Sequence, residues 1–116
     1  MTNISASQLI VFFSKTDFDV ESIIPGRYYD FAEGRYVDRD GKVDTAVGTI
    51  EHVADWNEFN EGNEDIHIVF KLNDQLFKAV LYNDSWRGDG HQPELTSLDE
   101  VEAKEVTVTR YEKVNR

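Results

Sequence analysis

The stretch from Ile66 to Tyr82 constrains the fold more than any other part of the chain. Taking Asn73-Asp74 as a two-residue turn sets Phe70 against Phe77, Ile68 against Ala79 and Ile66 against Leu81. Side chains alternate between the faces of a strand, so all six apolar residues fall on one side of the ribbon. The other side carries His67, Val69 and Lys71 against Val80, Lys78 and Leu76, a mixed face. A slip of one residue would scramble both faces, so the register is strongly specified. The turn lacks glycine, but Asn and Asp tolerate left-handed backbone better than most residues. This segment predicts an antiparallel hairpin.

Weaker signals surround it. Ser5 and Gln8 stand at capping-box spacing ahead of Leu9-Ile10-Val11-Phe12-Phe13, which favours a short N-terminal helix. The same run, rich in β-branched and aromatic residues, also fits a buried strand, so residues 7–14 stay open between the two. Pro25-Gly26 marks a turn, and Arg27 to Phe31 has the aromatic content of a strand. Gly34 interrupts it, Tyr36-Val37 resumes it, and Asp40-Gly41 reads as a tight hairpin turn. From Val43 to Val53 the chain alternates again. Ala54 to Asp65 dissolves into Asn, Glu, Asp and Gly and reads as a long acidic loop, and Asn83 to Thr96 as a second loop. Ser97 and Glu100, again at capping-box spacing, predict one helical turn. Glu105 to Val114 alternates as a final strand.

The expected fold is mainly β (α+β): a small antiparallel barrel or rolled sheet of five to six strands with a short N-terminal helix, in one domain spanning residues 1–116. A chain of 116 residues sits at the usual single-domain length. Its fourteen aromatics set it apart from disordered chains.

Charge narrows the function classes. Twenty-three acids against twelve bases give a net charge of −11, which disfavours non-specific binding to a polyanion or an anionic membrane. Glu51 to Asp65 holds six acids and no Lys or Arg. With no cysteine there is no disulfide, thiolate nucleophile or thiolate metal ligand. The apolar run from Leu9 to Phe13 is too short for a signal segment or a membrane span, so the expected location is the cytoplasm, or the host cytoplasm for a viral protein.

Chemistry-bearing motifs are few. Asp38-Arg39-Asp40-Gly41 begins like a calcium loop, but Lys42 takes the third acidic position and Thr49 the closing one. His52, His67 and His91 lack ligand spacing, and there is no phosphate loop, nucleophile elbow or zinc-protease motif. The expectation is a non-enzyme without metal or cofactor.

Two surfaces remain. The first is the acidic stretch, with Asp55, Glu58, Glu61, Glu64 and Asp65 as partner-binding residues and Asp17, Asp19 and Glu21 as an extension. Such carboxylates can stand in for phosphates in the basic groove of a nucleic-acid-handling protein; the plainer alternative is a solvated loop. The second is an OB-like platform for single-stranded nucleic acid, with Trp56, Trp86 and Tyr82 stacking on bases and Lys71 and Lys78 meeting phosphates. The plainer alternative there is that the rings are core. Pro25 to Tyr29 and Val106 to Tyr111 look like stretches of small phage barrel proteins, but no family is assigned on them and no residue role is carried over; a phage or mobile-element setting is an expectation of the functional reading. The leading expectation is an acidic inhibitor or adaptor, acting as a DNA mimic in its sharpest form.

Overall fold

The first element is fixed by its own side chains. Ser5 Oγ accepts from the Gln8 backbone N–H at 3.1 Å, and Gln8 Oε1 accepts from the Ser5 N–H at 2.9 Å. This reciprocal cap opens helix α1, Ala6–Thr16. Leu9 and Phe13, four residues apart, are buried, while Val11 between them is 50% exposed. A strand would have put all three on one face, so the run is a helix. It stops at Asp17, in the left-handed region at φ 51°.

The computed structural model describes residues 3–84, 93–103, 111 and 113–114. A 3₁₀ turn, Val20–Ile23, follows α1, with Asp19 Oδ1 accepting from the Glu21 N–H at its start. Seven strands come next among the described residues: β1 Gly26–Asp30, β2 Arg35–Arg39, β3 Lys42–Thr45, β4 Gly48–Asn60, β5 Asn63–Leu72, β6 Gln75–Asp84 and β7 Glu94–Val101. β1 and β2 form a two-stranded sheet. The other five form an antiparallel meander in sequence order.

The mainly β fold with one N-terminal helix is as expected; among the described residues neither sheet closes on itself, so 'barrel' describes it only loosely. β3 has only four residues and pairs β4 no further than Glu51. It is too short to carry a closing ladder. Helix α1 covers the inner face of the large sheet instead: the Phe13 ring lies 6.3 Å from Phe70, which stacks on Phe77 at 5.7 Å. Ile50, Ile68, Leu72 and Ala79 complete a solvent-free layer beneath.

The central hairpin has the expected register, with Phe70 opposite Phe77, Ile68 opposite Ala79 and Ile66 opposite Leu81. Asn73 takes φ 56° in its turn. The N-terminal segment is tied to the same turn, because buried Gln75 accepts from the Ile4 N–H at 2.9 Å and donates to its carbonyl at 2.8 Å.

Three local expectations are overturned. Ala54 to Asp65 is not a loop: it completes β4, turns at Glu61-Gly62 and begins β5. Pairing with the strongly alternating β5 overrides the low strand propensity of Asn, Asp and Glu. Asp40-Gly41 does not close a hairpin, because β2 and β3 belong to different sheets. Ser97 to Glu100 is not a helical turn but part of β7. There a register shift at Thr96 puts Leu95 opposite Leu81 and Leu98 opposite Ala79. The capping-box spacing of Ser97 and Glu100 gives way to ladder pairing with β6, where Ser97 lies opposite Val80 and Glu100 opposite Phe77. The expected last strand, Glu105 to Val114, falls mostly outside the described residues.

Candidate interaction surface

The free end of the β4–β5 ribbon is built by a long strand that outruns its neighbour. Past Glu51, β4 has no strand on its β3 side among the described residues. A bulge at Val53 breaks the register at the point where this edge begins. His52 and Asp55, three apart, therefore share one face and are joined at 2.7 Å from Nε2 to Oδ1. Bulges and charges are common guards of an exposed edge, and here they account for part of the acidity.

Cross-strand pairing decides where each acid lies. Asp55 stands opposite Ile68, on the helix-covered side of the sheet, and Glu64 shares that side with Ile66 and Ile68. Glu58 stands directly opposite Asp65 on the outer side, level with the Trp56–His67 pair next to it. Glu61 sits in the connecting turn and is exposed. The five acids thus wrap around one ribbon end instead of lying on one face. Glu64 Oε2 accepts from Asn57 Nδ2 at 3.1 Å, and Phe59, opposite Glu64, is 73% exposed.

The segment after α1 extends this region. Burial raises the Glu21 carboxyl above its ordinary range, and the charges of Asp19 and Glu64 push the same way while Arg39 opposes them. Glu64, distant in sequence, is the smallest of these influences, and the 3₁₀ turn that carries Glu21 lies against β4.

The outer face of the sheet gathers the second set of candidates. Trp56, Lys71, Lys78 and Tyr82 all project there, as the pairs Trp56–His67, Lys71–Leu76, Val69–Lys78 and Asp65–Tyr82 require. Trp86 lies outside the described residues. Trp56 is 40% exposed, stacks on His67 with centroids 4.9 Å apart and planes at 6°, and has Lys78 Nζ 5.3 Å from its ring centre. Tyr82 is half-buried and donates its hydroxyl to Asn63 Oδ1 at 2.8 Å. Both ring nitrogens of His67 are buried without a hydrogen-bond partner, although Glu58 Oε2 comes within 3.6 Å. The Trp56–His67 stack was readable only once β4 reached residue 56; treating that stretch as loop hid it.

Among the described residues no group of three or more His, Asp or Glu is placed to hold a metal ion, and no helix is long and apolar enough to cross a membrane. Comparison with protein-family models, with curated proteins and with solved structures found no match.

Proposed function

We propose that the protein is a non-enzymatic binding module that docks the acidic end of its β4–β5 ribbon on a basic partner. The observation that carries this reading is the direct opposition of Glu58 and Asp65 across the ribbon. Like charges at facing positions destabilise a sheet. Glu61 and Glu64 crowd the same end, and neither strand supplies a Lys or Arg before Lys71. A cluster that costs stability locally marks a site kept for another purpose. A basic groove would relieve the repulsion, and the opposite charges would speed encounter. The partner class is a nucleic-acid-handling protein whose groove normally holds phosphates, in a phage or mobile-element setting and in the cytoplasm.

The test is capture of partners that duplex DNA displaces. Replacing Asp55 by Asn, Glu58, Glu61 and Glu64 by Gln and Asp65 by Asn keeps the shapes and the His52 and Asn57 hydrogen bonds while removing five charges. The variant should fold and lose capture, and wild-type capture should weaken with salt. Undiminished capture by the variant would end this reading.

A second reading rests on the shared face of Trp56, Tyr82, Lys71 and Lys78, which suits stacking of single-stranded bases with lysines on phosphates. Trp56 already stacks on His67, and Glu58 and Asp65 lie on the same face, so the reading is the weaker one. Quenching of tryptophan emission by short oligonucleotides at low salt would revive it, and no quenching would remove it.

A further inference from the structure

The β1–β2 hairpin presents an aromatic face that nothing in the described chain covers. Arg27 pairs with Asp38 and Tyr29 with Tyr36, so these four residues share one side of the ribbon. Tyr29 is 44% exposed, Tyr36 61% and Phe31, just past β1, 89%. The rings nevertheless organise one another. Tyr29 meets Phe31 edge-on at 4.9 Å and Tyr36 edge-on at 5.1 Å, and the Arg27 guanidinium lies 4.8 Å from the Tyr36 ring centre. The opposite side is half-buried, with the Arg39 guanidinium 4.2 Å from the Tyr28 ring centre and the Tyr28 hydroxyl donating to the Ile24 carbonyl. A two-stranded ribbon is marginal in water without a covering layer, and clustered Tyr, Phe and Arg are the residues that dominate protein interfaces.

We infer that a second copy of the chain covers this face, hairpin against hairpin about a two-fold axis. The argument is charge. Residues 26–39 hold Arg27, Arg35 and Arg39 against Asp30, Glu33 and Asp38, so the hairpin is neutral and the whole −11 lies elsewhere. It is therefore a surface on which two such acidic molecules can meet without like charges at the contact. The face is also self-complementary. An axis running along the hairpin between its strands sets Tyr29 of one copy against Tyr36 of the other, and Arg27 against Asp38. A two-fold interface needs that reciprocity.

The repulsion between the two bodies is screened by salt while ring burial is not, so association should tighten as salt rises. Docking of the acidic ribbon end on a basic partner should weaken instead, which separates the two proposals. Sedimentation equilibrium from micromolar to millimolar protein should show a monomer–dimer equilibrium shifting towards dimer with added salt. Phe31→Ser, at the hairpin's most exposed ring, should weaken the dimer about tenfold or more with an unchanged circular dichroism spectrum. Arg27→Asp and Asp38→Arg should each be monomeric alone, yet form a mixed dimer when combined, because each then supplies the charge the other lacks. A wild-type monomer at millimolar concentration in high salt would overturn the inference. So would a dimer indifferent to Phe31→Ser, or failure of the two charge variants to pair.

Discussion

The molecule contains two hairpins built on the same device, an aromatic pair facing across antiparallel strands, with opposite outcomes. In β5–β6 the pair is Phe70 and Phe77, both without solvent exposure beneath α1. In β1–β2 it is Tyr29 and Tyr36, with about half of each ring in water. Cross-strand geometry is common to both, so pairing alone does not make a core. The covering layer does: α1 brings Leu9 and Phe13 down on the first pair, and no described element does so for the second. The hydroxyl on each tyrosine fits a ring that stays wet on one side, whereas phenylalanine suits the dry one.

The largest effects should follow that divide. Phe77→Ala empties part of the layer under α1 and should destabilise the fold by about 3–5 kcal/mol, while Tyr36→Ser should cost about 1 kcal/mol or less at low protein concentration. Urea denaturation of both variants checks the contrast, and similar losses would mean that the exposed hairpin is part of the core. Gln75→Ala probes the strap of the covered hairpin. It leaves the Ile4 N–H and carbonyl without their side-chain partner near a buried site, an expected loss of about 1–3 kcal/mol. Hydrogen exchange should then accelerate at Ile4 and in the first turn of α1, with the β1–β2 amides unchanged.

The same divide separates what was legible in the sequence from what was not. The β5–β6 register could be read because six apolar residues pair across a turn that Asn73 can adopt. The capping box was equally readable, since Ser5 and Gln8 act within one turn of chain. β4 beyond Val53 was hidden because its strand character comes from its neighbour β5, and a bulge breaks its alternation. In β7, Ser97 and Glu100 stand at capping-box spacing, but pairing with β6 makes the segment a strand. The acidic stretch is plain in the sequence, but not its arrangement around both sides of one ribbon, which depends on the shift at Val53. Exposure of Tyr29, Phe31 and Tyr36 was invisible for a related reason: strand-forming rings look alike in sequence whether or not another element lands on them.

The smallest expected effect lies in the turn that leads into the exposed hairpin. Glu21, in the 3₁₀ turn between α1 and β1, feels Arg39 of β2 and Glu64 of β5. Burial, Asp19 and Glu64 outweigh Arg39, so its carboxyl holds a proton more tightly in the folded chain than in the unfolded one. The folded state then binds more protons than the unfolded state just above the ordinary value of 4.5, and stability falls as pH rises through that window. Glu21→Gln removes this penalty. The variant should be modestly more stable than wild type at neutral pH, and the difference should vanish below pH 4.5, where both side chains are neutral. Thermal melts at a series of pH values check the sign. Destabilisation at neutral pH would instead make attraction to Arg39 the stronger force, and Glu21 would then tie the 3₁₀ turn to β2 and not belong to the acidic field around Glu64.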